Sequence, residues 1–465
     1  MSSLLLVAHA TLIEAEDVPL PTLAAIGAAG FVLVISFFAL AAGWPRPLLE
    51  DQRWRALPAA VSRLVQSRAI AVVAGAAGVF LLGLTIYAGL RGTVAPDRNF
   101  AVGFTFVSFW LGMVLLSVVF GDVFRALNPW RALARVVAGG FRLIAGQSAP
   151  APLELPERFG RWPAALGVVA FIWLELVWGQ GLQSLSVTPY DTALAALIYS
   201  VYTFVMMALF GIERWLDRGE IFSVYFGMFA AASPIELRAG RIGRRRMLSG
   251  LGDWAGAVPG SIALVLAVIG LTVFDGATEG LFQEPIALLR DDWFAALGPA
   301  WSARLALSIF MVISLGIVAG FFWAGISGMR TVRPSISTRE LGQRFIHSFV
   351  PIAFAYLVAH YFSYFVLLEQ AQFGFLLSDP LGTGADIFGT ADNGIDYGTL
   401  SAALIWWVQI GSLTIGHVIA LTLGHDRALA VFPDQRTAVR SQYWMLAMMV
   451  GFTYLGLWLL SLANA

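Results

Sequence analysis

The sequence predicts an all-α, polytopic transmembrane helix bundle of about ten spans, with both termini outside the cytoplasm. Three observations predict it. The chain of 465 residues is 58% hydrophobic and only 12% charged, whereas a soluble domain carries roughly 25% charged residues. Its apolar residues gather in runs close to the ~20 residues that cross a bilayer. Its positive charge is all arginine and sits in alternate loops. Of 29 Arg, 25 fall between apolar segments one and two, three and four, five and six, seven and eight, or nine and ten, leaving Arg91, Arg98, Arg290 and Arg304 elsewhere. Arginine-rich loops mark the cytoplasmic side, and an even number of spans returns both termini to the opposite side.

The ten expected spans are 21–43, 69–90, 100–120, 162–181, 193–211, 258–274, 305–329, 345–368, 400–423 and 443–462. The whole chain, 1–465, reads as a single transmembrane domain. Residues 1–20 lack a positively charged start and read as a short outer tail carrying Glu14, Glu16 and Asp17. The cytoplasmic loops are 44–68, 121–161 and 212–254. The last contains the apolar stretch EIFSVYFGMFAAAS at 220–233. It is too short to span, and the reading preferred here is an interfacial helix over a re-entrant one. The outer loop 369–399 carries Asp379, Asp386, Asp392 and Asp396 among glycines. That spacing favours repeated tight turns over a cation site, because no EF-hand pattern is present.

The absence of cysteine rules out disulfides, thiolate metal sites and a cysteine nucleophile. A net charge of zero gives no electrostatic case for a nucleic-acid partner. The partner implied by composition is the lipid bilayer. No P-loop, G-x-S-x-G or H-E-x-x-H motif occurs.

In lipid the informative side chains are the ionisable ones, since each is costly unless paired or solvated. Glu175 lies midway along the fourth expected span, His360 in the eighth and His417 in the ninth. His347 and His425 lie near the cytoplasmic ends of those last two, and Asp122, Asp191 and Asp275 sit at span ends. A rise of ~1.5 Å per residue puts Glu175 ~18 Å above the start of its helix, His360 ~20 Å above His347 and His417 ~12 Å above His425. Glu175, His360 and His417 are therefore the candidate catalytic and metal-ligating set. Two imidazoles and a carboxylate are ordinary ligands for a divalent ion such as Zn²⁺, which would turn bound water into hydroxide. The alternative is that each group simply hydrogen-bonds a neighbouring helix.

Several stretches together resemble a bacterial family. They are VFRALNPWRAL (123–133), RWPAALGVVAFIWLELV (161–177), GIERWLDRGEIFSVYFGMF (211–229), LTVFDG (271–276), LLSDPLGTGADIFGTADNGIDY (376–397) and GHDRALAVFP (424–433). The pattern is similar to integral-membrane fenitrothion hydrolases, organophosphorus esterases of two membrane components. The resemblance implies a multi-pass protein of the bacterial inner membrane, a small apolar phosphotriester substrate and a second integral-membrane subunit. It carries no catalytic motif that transfers residue by residue. Three function classes stay open on the sequence: a metal-assisted membrane esterase, a transporter for a small solute or metal, and a haem- or quinone-binding subunit of a membrane complex.

Overall fold

A computed structural model describes residues 22–49, 53–146, 152–180, 187–256 and 258–463. The tail expected over 1–20 lies outside the described residues. The chain forms helices α1 (Thr22–Gly43), α2 (Arg68–Arg91), α3 (Phe100–Phe120), α4 (Pro129–Ala145), α5 (Glu157–Trp178) and α6 (Pro189–Phe210). It continues with α7 (Ile221–Ala230), α8 (Ser261–Thr278), α9 (Pro299–Val332), α10 (Thr338–Leu376), α11 (Ala402–Val431) and α12 (Gln435–Ala463). Among the described residues nine of these, all but α4, α7 and α12, are long and apolar enough to cross a membrane. The tenth expected span lies inside α12. The architecture is the all-α polytopic bundle that the composition demands.

Local chemistry sets the helix ends. Ser67, Thr188 and Ser401 each accept a hydrogen bond from the backbone N–H three residues on, capping α2, α6 and α11. Pro189 and Pro299 occupy first turns, where a missing N–H costs nothing. Three of these helices widen into π turns: α3 at Phe104–Gly112, α5 at Leu174–Trp178 and α10 at Gln372–Leu376. Such widenings are rare and concentrate at functional sites.

The helices pack as two groups. One holds α2, α3, α4 and α6, with α7 and α5 against α3 and each other; the second holds α1, α9, α10, α11 and α12. Helix α8 lies between them, touching α5 on one side and α9, α10 and α12 on the other. Every residue of α8 from 264 to 275 is buried, which fits a helix that is apolar on all faces. Helix α3 meets α10 across the same boundary.

Two features correct the sequence reading. The 220–233 stretch is not an interfacial helix. Helix α7 buries Ile221, Phe222, Val224, Tyr225, Phe226, Met228, Phe229 and Ala230. The Tyr225 ring stacks on Trp110 of α3, with centroids 3.9 Å apart and planes at 6°. A helix lying on a membrane surface presents one apolar face, but this one is apolar on nearly all sides and is swallowed by the bundle. Its start is fixed by buried Glu220, which accepts from the N–H groups of Phe222 and Ser223, from Asn128 Nδ2 and from the Tyr199 hydroxyl. The helix with an exposed apolar stripe is α4, where Val136, Val137, Leu143 and Ile144 are exposed between arginines.

The second feature is a small antiparallel sheet of β1 (Arg55–Ala56), β2 (Ile235–Arg238) and β3 (Arg241–Arg244), in the order β1-β3-β2. Ala239 and Gly240, both at positive φ, make the two-residue turn between β2 and β3. Arg55 pairs with Arg244. This pairing joins the 44–68 and 212–254 loops, which the arginine distribution had put on one side. In the outer loop the expected turns are present: Asp379 accepts from Thr383 and Gly384 N–H, Asp386 from Ala391 N–H, and Asp396 from Gly398 N–H.

Candidate functional site: an intramembrane acid and histidine cluster

Helix α8, buried from 264 to 275, carries an acid in its last turn. Asp275 and His360 of α10 have side chains only 8% exposed, and His360 Nε2 lies 2.9 Å from Asp275 Oδ2. The neighbouring Tyr361 hydroxyl donates to the same oxygen at 2.6 Å. The His360 and Tyr361 rings meet edge to face, with centroids 4.6 Å apart. One carboxylate oxygen thus holds two proton-bearing groups from one helix. Burial strengthens such hydrogen bonds and makes an unpaired partner costly.

Two further acids surround this pair. Glu175 sits in the π turn of α5, within electrostatic reach of Asp275 and of Tyr361 and Tyr364 on α10. Glu279 lies one turn beyond Asp275, just past the end of α8, and interacts with both Asp275 and His360. Burial pushes the Glu279 carboxyl up to about 7; His360 opposes that shift and Asp275 adds to it. The site therefore holds three carboxyl groups, an imidazole and two phenols in the half of the bundle nearest the outer ends of α5, α8 and α10.

The α5 end that carries Glu175 is held by Arg304, one of the four arginines outside the cytoplasmic loops. Arg304 is 7% exposed. Its Nε donates to the Trp178 carbonyl at 2.9 Å, and its guanidinium lies 3.9 Å from the centroid of the Trp178 ring. A cation on the last carbonyls of a helix complements its dipole. Trp173 Nε1 donates to Ser308 Oγ at 2.8 Å, a second tie between α5 and α9.

The structure relates Glu175 and His360 each to the same acid, Asp275, and separates the third expected residue. His417 is fully buried in α11, where its Nδ1 donates to the Leu413 carbonyl at 2.8 Å. Its ring faces Tyr356 and Phe452 and lines an apolar cavity of about 20 Å³ with Ile269, Phe322 and Met449. Glu175, His360 and His417 do not form a shared metal site. Among the described residues no three His, Asp or Glu side chains are grouped to hold a metal ion. The physical reason is what each ring packs against: His360 bonds Asp275 of α8, whereas His417 bonds its own helix and faces Tyr356 of α10 and Phe452 of α12.

His425 serves the fold, as its place near a polar boundary suggests. Its Nδ1 bonds Gln442 Oε1 and its Nε2 bonds the Trp44 carbonyl, both at 3.0 Å. The adjoining Asp426 accepts from Trp44 Nε1 and from the N–H groups of Leu48 and Leu49. The segment after α1 is thereby fastened to α11, and neither ring nitrogen of His425 is left to ligate a haem.

Sequence reasoning missed Asp275 and Tyr361 as partners of His360. The signal for Asp275 was present. Counting from Ser261 at ~1.5 Å per residue puts Asp275 ~21 Å up its helix, the level of Glu175 and His360. Comparison of the chain with protein families, curated proteins and solved structures gives no match.

Proposed function

We propose that this protein is a proton-coupled transporter of the lipid bilayer, with Asp275 and His360 as its proton-handling pair. The single observation that carries the reading is the 2.9 Å contact between His360 Nε2 and Asp275 Oδ2 inside the bundle. Ionisable side chains are kept in membrane interiors where they serve ion or proton pathways. The pair has two arrangements, carboxylate with imidazolium and carboxylic acid with neutral imidazole. A proton passing between them changes no net charge. Glu279 at the outer edge and Glu175 on α5 are the groups through which protons reach and leave the pair. The π turn beneath Glu175 and the position of α8 between two helix groups supply the places where the bundle rearranges.

The test is reconstitution in liposomes that enclose a pH-sensitive dye, with candidate solutes added under an imposed pH gradient. A solute that moves protons in the parent protein and moves none in Asp275→Asn supports the reading. Solute uptake that ignores the gradient and survives Asp275→Asn overturns it.

A second reading keeps the resemblance to fenitrothion hydrolases. An imidazole oriented by a carboxylate is also the base of a water-activating hydrolase, so an Asp275–His360 dyad could serve esterase chemistry without the expected metal set. In that reading the apolar phosphotriester enters from the lipid, in the bacterial inner membrane, alongside a second membrane subunit. Release of a phenol from an apolar phosphotriester by the purified protein, lost in His360→Gln, would favour it over transport.

A further inference from the structure

A separate polar set lies where α3 meets α10. Both oxygens of Glu369, both amide atoms of Gln372 and the Ser108 hydroxyl are buried; among the described residues the Ser108 hydroxyl and the Glu369 carboxyl have only each other, and the Gln372 amide atoms have no partner. Gln372 is only 3% exposed. Such groups away from water each cost free energy until something pairs them. None of them belongs to the cluster around Asp275.

The two helices bring these groups face to face. Ser108 lies beside the Glu369 carboxyl. Gly103 lies beside Gln372, close enough that a Cβ built on it would stand 3.0 Å from Gln372 Oε1. Glu369 and Gln372 are three residues apart on α10 and share a face. Gly103 and Ser108 are five residues apart on α3, about one turn of its π-helical stretch. The helices run antiparallel, so the pairs Ser108–Glu369 and Gly103–Gln372 are two rungs of one ladder. Gln372 also begins the π turn of α10.

We propose that Ser108, Glu369 and Gln372 form an intramembrane site for a monovalent alkali cation. The two carboxylate oxygens, the hydroxyl and the amide carbonyl offer four oxygen ligands, the set that hard cations take. A metal cation would engage the carboxylate, the hydroxyl and the amide carbonyl together. The charge selects valence. The site holds one carboxylate, which a +1 ion neutralises, whereas a divalent ion would leave a net charge in an apolar interior. Glycine at 103 keeps space open beside the amide oxygen.

The experiment is thermal unfolding of the full-length purified protein in sodium, potassium or lithium chloride against choline chloride at equal ionic strength. A ligand that binds only the folded state raises the midpoint in a saturable way. The parent protein is expected to show such a rise with at least one alkali cation over choline. Glu369→Gln should abolish the cation-dependent rise, Ser108→Ala and Gln372→Ala should weaken apparent affinity about tenfold or more, and Asp275→Asn should keep it. Survival of the rise in Asp275→Asn separates this site from the proton pair. Equal midpoints in choline and in all three alkali salts overturn the proposal, as does a rise retained by Glu369→Gln. If Glu369→Gln does not fold, Gly103→Ala decides: its methyl crowds Gln372 Oε1, so an unchanged cation response in that variant overturns the site.

Discussion

Asp275 Oδ2 meets His360 Nε2 at 2.9 Å across the interface of α8 and α10, and the same oxygen takes the Tyr361 hydroxyl. Removing one member of a buried pair strands the other, at a cost of about 3–5 kcal/mol. Asp275→Ala and His360→Ala should each destabilise the protein strongly. The double variant Asp275→Leu/His360→Leu should recover much of the loss, because an apolar replacement needs no partner. Unfolding of the three variants in one detergent checks this. Additive losses would show that the two residues are not coupled.

Arg304 joins two helices through one residue, Trp178. Arg304→Met keeps the stem but removes both the donor to the Trp178 carbonyl and the cation over its ring. A cation–π contact shielded from solvent is worth about 2 kcal/mol, so a loss of that order is expected, read as a lowered unfolding midpoint. Arg304→Lys should restore little, because a lysine cannot donate to the carbonyl and lie flat on the indole together.

Glu213 sits among Arg125, Arg131 and Arg135, with contacts of 2.7–3.0 Å. Burial alone pushes its carboxyl up and is the largest single influence. The hydrogen bonds and charges of Arg131 and Arg125 together outweigh it and hold the group at about 2, against an ordinary 4.5. A carboxyl lowered in the folded state contributes stability that is present above pH 4.5 and is lost as pH falls toward 2. Glu213→Gln should therefore lower stability at neutral pH and flatten its fall through that acid window. Because the cluster is partly exposed, raising the salt concentration should shrink the difference. A parent and variant with parallel pH profiles would remove Glu213 from the account.

The burial of α7 can be checked by labelling, and the chain offers a clean background because it has no cysteine. Met228→Cys, in the core of α7, should stay unreactive toward a membrane-impermeant maleimide in opened vesicles. Leu237→Cys on strand β2, outside the membrane-crossing helices, whose native side chain is 57% exposed, should react. Ready labelling at 228 would return α7 to the membrane surface.

The parts of this fold that were legible in the sequence are those set by lipid. The ten apolar runs follow from the length of a span, and the arginines follow from the side of the membrane. The height scale put Glu175 and His360 near one level, and both are found to interact with Asp275. It lost Asp275 because the sixth span was ended at Phe274, one residue short, whereas the helix runs to Thr278. Height alone could not reject His417, since it carries no information about which face of α11 the ring leaves from. Helix α7 was misplaced for a related reason. A short apolar run has the same composition on a surface and inside a bundle, and only its all-round apolarity told against the surface. The sheet was illegible because its strands are two to four residues long and rich in arginine, with none of the alternation that marks a half-buried strand.

The pairing of residue 55 with residue 244 has a mechanical meaning. It closes the polypeptide into a ring that starts before α2 and finishes after α7. Everything threaded on that ring is clasped at the rim where the sheet lies, and α1 and α8 are the two strands of chain that leave it. The ring meets the rest of the bundle where α5 packs on α8 and where α3 packs on α10, and the second of these seams holds Ser108 and Glu369.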